Sequence, residues 1–246
     1  FFLGSYESKR SHEAVSMPLT SALALLLLLV DCISSKVLDF EKDFGGIPGD
    51  GSHETCVHNT NLLSRVLQLN ATNSTIVLAA VDTVFHFYNG VFARNISNSV
   101  LIVDGTLRFE RRGDFVPHPD PRACMRIDIS KNITLTSTGR GLFDGRGSNY
   151  WGIPAVGYFE LLEHRPRLLT INQTSELLIE NLIFQDSPYH TIFMESVQNV
   201  VVRHCSIVAR RTPADGHSWI DLSAFNTDGI DVSGHNIHVH DVDIWT

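Results

Sequence analysis

The chain has 246 residues, is 43% hydrophobic, and carries a formal net charge of −8 with a pI near 5.8. That composition excludes global disorder and argues against a nucleic-acid binder, which carries a basic excess. It leaves room for an anionic ligand, because a local basic cleft can sit on an acidic protein.

In chain order, the first feature is an apolar run from Ser21 to Val30. It is too short to span a bilayer and suits the h-region of a secretory signal starting at Met17. Ser34 and Ser35 follow as small residues for a cleavage site. Residues 1–35 are therefore read as an upstream extension and signal peptide, and 36–246 as the folded domain. The expected product is secreted, extracellular or in the cell wall, with no membrane attachment after cleavage. Sequons at Asn70, Asn73, Asn95, Asn132 and Asn172 agree with a glycosylated surface. Past Cys32, the cysteines are Cys56, Cys124 and Cys205. An odd number leaves at least one thiol without a partner inside the folded part. No CxxC spacing points to structural zinc.

Phe44 to Gly51 is rich in turn residues. Val57, Leu62, Leu63, Val66 and Leu67 then recur at helical spacing, which predicts an amphipathic helix over Thr55–Leu69. Ile76–Leu78, Phe85–Phe87, Val100–Val103 and Gly105–Phe109 read as the first strands. From there the chain repeats itself. The segments starting at Glu176, Asn199 and Asn236 share apolar residues at their second, fourth and ninth places, and a partial copy starts at Asn132. Between the last two copies lies a polar insertion, Arg210 to Phe225, holding Pro213 and Gly216. Short strands with in/out alternation, repeated at coil length, cannot bury their apolar face singly and must stack. Asn199 and Asn236 at matching places suit an asparagine ladder at a bend. The fold class is all-β, a right-handed parallel β-helix with an N-terminal capping helix over its open end.

The last motif is Asn226-Thr227-Asp228-Gly229-Ile230-Asp231, two carboxylates around a glycine where a loop becomes a strand. If Ile230 and Val232 face the core, alternation puts Asp231 outside. The small Gly229 leaves a ligand room to approach. With Val232 to Ile237 behind it, this string resembles the first catalytic signature of the polygalacturonase family of glycoside hydrolases. Phe44 to Gly51, Asp104 to Leu107, Gly141 to Gly147 with Tyr150 and Trp151, Arg165 to Leu168 and Ser187 to His190 are similar to that family's other strings, in order. The resemblance covers about Asp39 to Thr246. It implies pectin-backbone hydrolysis at α-1,4-galacturonosidic bonds with inversion, by a pair of carboxyl groups acting from opposite faces. It maps Asp228 onto the water-activating group and Asp231 onto a second acidic catalytic position of the motif. Asn226, Arg210, Arg211 and His190 are the candidate substrate-binding residues, with Tyr189 beside them.

The sequence departs from the family twice, first in having Ser223-Ala224-Phe225 before Asn226 where the family usually has Ser-Pro. Second, the family's Asp-Asp pair, Gly-His-Gly and Arg-x-Lys do not follow before Thr246. The expectation is therefore the front part of a hydrolase, with polygalacturonate or a related pectic polysaccharide as its partner and with no measurable activity alone. It is expected to be a monomer, without cofactor or metal. His235, His238 and His240 cluster, but a strand places them as a surface ladder rather than a metal site. The alternatives are a non-catalytic polysaccharide-binding β-helix and a calcium-dependent pectate lyase.

Overall fold

The computed structural model describes residues 36–111, 123–139, 141–154, 156–157, 164–212 and 219–246. The signal-peptide reading of 1–35, and Pro213 and Gly216 of the insertion, lie outside the described residues. The strands are β1 (Lys36–Asp39), β2 (Ser74–Ala79), β3 (Val84–Tyr88), β4 (Val91–Arg94), β5 (Ser97–Val103), β6 (Thr106–Glu110) and β7 (Ala123–Asp128). They continue as β8 (Lys131–Thr136), β9 (Gly141–Asp144), β10 (Arg167–Asn172), β11 (Ser175–Glu180), β12 (Leu182–Gln185), β13 (Ile192–Val208) and β14 (Ile230–Trp245). Among the described residues, the helix α1 (His53–Asn70) precedes β2.

All strand pairings are parallel, and from β4 onward the chain visits three sheets in a fixed order. The first sheet stacks β4, β7, β10 and the opening parts of β13 and β14. The second stacks β1, β2, β5, β8, β11 and the middle parts of β13 and β14. The third stacks β3, β6, β9, β12 and their closing parts. This is a right-handed parallel β-helix.

The repeat read from the sequence is the register itself. Leu177 pairs with Val200 and Val200 with Ile237, while Phe184 pairs with Ile207 and Ile207 with Ile244. Leu177, Val200, Phe184 and Ile207 are buried in core rows of Ile, Leu, Val and Phe, Ile237 packs against them, and Ile244 of the last coil is exposed. Phe143 and Phe184 stack with centroids 5.0 Å apart. Coils this close leave some positions no room for a side chain. A Cβ on Gly141 would lie 1.6 Å from the Val103 carbonyl oxygen, which accounts for the glycine opening that motif.

The bends turn by single residues in the left-handed region. One column, Asn73, Asn98, Asn132, Glu176, Asn199 and Asn236, has φ between 51° and 57° throughout. Asn tolerates this conformation, and its amides link coil to coil. Asn98 Nδ2 donates to Asn73 Oδ1 at 2.9 Å, Asn132 Nδ2 to Asn98 Oδ1 at 2.9 Å, and Asn236 Nδ2 to Asn199 Oδ1 at 2.8 Å.

The predicted helix forms, two residues longer at its start. Ser52 caps it, accepting from the Thr55 N–H at 3.3 Å. Its buried face, Leu63, Val66 and Leu67, packs on β3 and β4. Its polar groups also serve the otherwise unpaired edge of β4. Phe92 N donates to Ser64 Oγ at 3.1 Å, and Gln68 Nε2 donates to the Arg94 carbonyl at 2.9 Å. A sheet edge left open this way is a template for aggregation, and α1 covers it. Cys56, Cys124 and Cys205 are all buried. Burial is the main force raising the Cys56 thiol to about 11.

Candidate active site

The site lies on the outer face of the first sheet. Alternation in each strand puts Phe92, Arg126, Thr170, Phe193 and Asp231 in one outward row. Asp231 thus points outward, as parity predicts, while Ile230 packs against the core. Asp228 sits just before the strand and is exposed. Its loop is pinned by backbone bonds from the previous coil: Thr191 N donates to the Asp228 carbonyl at 2.8 Å and Ile192 N to that of Gly229 at 3.1 Å. The buried Thr227 hydroxyl closes the turn onto the Ala224 carbonyl at 2.8 Å.

His190 comes from that previous coil. One donor atom from each of His190, Asp228 and Asp231 lies within 4.8 Å of the others. His190 Nδ1 is 2.7 Å from Asp231 Oδ2, with side chains 17% and 33% exposed. The approach is not in line for a hydrogen bond, and both atoms remain without a hydrogen-bond partner. Burial holds the His190 imidazole below its usual pKa of 6.5, against the pull of Asp231 and Asp228 and with the help of Arg167 and Arg165. The ring is therefore neutral near pH 7. The three groups have the donor types to hold a divalent cation. As an acid/base set they present a carboxylate to solvent and a neutral imidazole behind it.

Asp228 also borders a cleft of about 600 Å³, lined by Arg210, Asp221, Phe225, Asn226 and Trp245 among others. Asn226 is the left-handed residue of the turn, with φ 55°. Arg210 reaches over Trp245, 5.8 Å from the ring centroid. Arg211 does not line this cleft. Its Nε donates to Ser223 Oγ at 2.6 Å and its Nη2 to the Gly152 carbonyl at 3.1 Å. Its backbone N–H donates to Asp221 Oδ1 at 2.8 Å. It clamps the insertion onto Trp151. Thus Asp228, Asp231 and His190 come together, Asn226 and Arg210 join them through the cleft, and Arg211 is engaged elsewhere.

A Cβ on Gly229 would lie 2.7 Å from Ile244 Cγ2, so the glycine also avoids a side-chain clash within its own coil. The sequence reading gave no role to Arg165. It is 1% exposed and donates from Nη2 to the Phe225 carbonyl at 2.9 Å. Its guanidinium lies 5.1 Å from the centroid of the Tyr189 ring, which itself packs on His190 at 3.9 Å. A buried cation thereby ties the insertion to the site. Its only sequence signal was membership of the Arg165–Leu168 string.

His238 and His240 stand exposed on the second sheet, opposite Val201 and Arg203. His238 contacts Asn236 and His240 contacts Asp241. Among the sequon residues, Asn73, Asn95 and Asn132 are exposed at bends, Asn70 ends α1, and Asn172 lies within β10 between Asp128 and Glu195.

The scaffold is a parallel β-helix with two carboxylates and a histidine gathered on its outer face. The profile of "Glycosyl hydrolases family 28" matches residues 91–246, and the chain belongs to that family. No curated protein matches the chain. Among solved structures, an endo-xylogalacturonan hydrolase from Aspergillus tubingensis aligns with a TM-score of 0.61 and 19% identity, over 84% of this chain and 50% of its own. A hyperthermoactive exopolygalacturonase from Thermotoga maritima aligns with a TM-score of 0.54 and 16% identity, over 90% of this chain and 56% of its own. The chain thus spans about half the length of these two structures.

Proposed function

We propose that this chain carries the water-activating side of an inverting hydrolase of α-1,4-linked galacturonate in pectin, acting outside the cell as a secreted monomer. The convergence of Asp228, Asp231 and His190 carries the reading. Asp228, exposed beside the cleft, accepts a proton from the water that attacks the anomeric carbon. The glycosidic C–O bond breaks, and a general acid on the other face protonates the leaving oxygen. Asp231 and His190 position that water and keep the local charge negative.

Asp228 and Asp231 do not form an inverting acid/base pair between themselves. Their oxygens lie within 4.8 Å, whereas such a pair stands about 6.5–9.5 Å apart to admit the water. The family's acid belongs to an adjacent Asp-Asp pair, and no two aspartates are adjacent anywhere in the 246 residues. The names of the two aligned hydrolases agree with a galacturonan substrate. Among the described residues no helix is long and apolar enough to cross a membrane.

The test is to incubate the chain with polygalacturonate and follow reducing ends, ultraviolet-absorbing products and binding of oligogalacturonate. The account predicts saturable binding, no new reducing ends, and no unsaturated product with or without calcium. Reducing-end release with retained anomeric configuration would make Asp228 and Asp231 an acid–nucleophile pair instead. Calcium-dependent ultraviolet absorbance would make the protein a lyase.

A further inference from the structure

Arg167 opens β10 with its guanidinium carbon 3.7 Å from the centroid of the Phe193 ring. At that distance the planar group lies on the ring face, which fixes the direction of its hydrogen-bonding edge. Two other arginines of this face are engaged. Arg126 is paired with Asp128 at 2.7 Å, and Arg165 holds the Phe225 carbonyl at 2.9 Å. Arg167 has no hydrogen bond or ion pair among the described residues, and its Nε is buried without one. Thr170, between Arg126 and Phe193 in the outward row, likewise has a buried hydroxyl with no partner. Phe193 is the direct neighbour of Asp231 in the register, and the charge of Arg167 is felt at His190. A preoriented cation with unused donors thus stands one coil from His190 and two coils from Asp231, about 4.8 Å and about 9.6 Å along the stack. The longer step is roughly the span of two sugar rings.

We propose that Arg167, held flat on Phe193, determines specificity by binding the carboxylate of a uronate unit on the N-terminal side of Asp228 and Asp231. The proposal deepens the pectic reading above and rests on it. A guanidinium fork receives a carboxylate through two parallel N–H···O bonds, which distinguishes the free acid from its methyl ester. The site would thus select unesterified pectin at this position. Phe193 sets the tilt of the fork.

The experiment is calorimetric titration of the full chain with trigalacturonate and with its methyl ester, for the wild type, Arg167→Gln and Arg167→Lys. The wild type is expected to prefer the acid by about tenfold or more, the usual worth of a charge-assisted pair. Arg167→Gln should lose that preference while still binding the ester. Arg167→Lys should keep part of it, having the charge without the flat fork. If Arg167→Gln does not fold, Arg167→Lys decides, provided its thermal midpoint matches the wild type. A preference unchanged in the variants, or absent from the wild type, overturns the role of Arg167 and leaves the pectic reading standing. A wild type that binds neither trisaccharide overturns the pectic reading and this inference with it.

Discussion

The asparagine column and the acid cluster are built on the same stack of coils, at different bends, with opposite outcomes. In the column, each amide that crosses between coils finds a carbonyl, as Asn98 does on Asn73 and Asn132 does on Asn98. In the cluster, His190 Nδ1 and Asp231 Oδ2 meet at 2.7 Å without forming a hydrogen bond. Satisfied groups hold a fold, whereas groups kept unsatisfied by their neighbours remain available to a ligand. The difference separates the part of this surface that stabilises from the part that acts.

The largest effect on stability belongs to the column. Asn98→Ala removes two amide bonds and leaves at φ 51° an alanine, which tolerates the left-handed region less well than asparagine. A loss of about 1–3 kcal/mol is expected, read from the urea midpoint. Asp186 stands between the extremes. It too is a left-handed bend residue, with φ 50°, but burial raises its carboxyl to about 6, helped by the nearby Asp144. A carboxyl with a folded pKa above its unfolded value costs stability as it ionises. The wild type should therefore weaken as pH rises through about 6. Asp186→Asn should be more stable by about 1–2 kcal/mol at neutral pH, with the gain vanishing below about pH 4. Thermal melts across that range would show the crossover.

The smallest effect on stability belongs to the cluster. Asp231→Asn breaks no hydrogen bond and should stay within about 0.5 kcal/mol of the wild type. Its affinity for oligogalacturonate should nevertheless change, which titration reads separately from folding. His190, with its pKa held below 6.5 by burial, favours the fold when neutral. That contribution is lost as pH falls below 6.5, so His190→Gln should flatten the acid side of the stability profile.

Much of this was legible because a coil repeat writes its register into the sequence. Leu177, Val200 and Ile237 were aligned by spacing alone, and they are neighbours in space. The first sheet was harder to see. In β10, Leu168, Leu169, Thr170 and Ile171 are all buried, so alternation gives no signal there. β4 is only four residues long. Asp228 and Asp231 were legible as a motif, but their closeness to His190 depends on stacking the coil across the insertion. Arg211 looked like a ligand-facing cation because a sequence does not show which carbonyls a guanidinium will meet. The sequons at Asn73 and Asn132 have a second origin, since both residues belong to the asparagine column and precede strands rich in Ser and Thr.

The most direct test of the acid cluster as the pectic site is nuclear magnetic resonance of the histidine rings, with His190 assigned through His190→Gln, during titration with trigalacturonate. The account predicts a saturable change at His190, unchanged signals from the exposed His238 and His240, and no response to a neutral galactose trisaccharide. A silent His190, or an equal response across all the histidines, would contradict it.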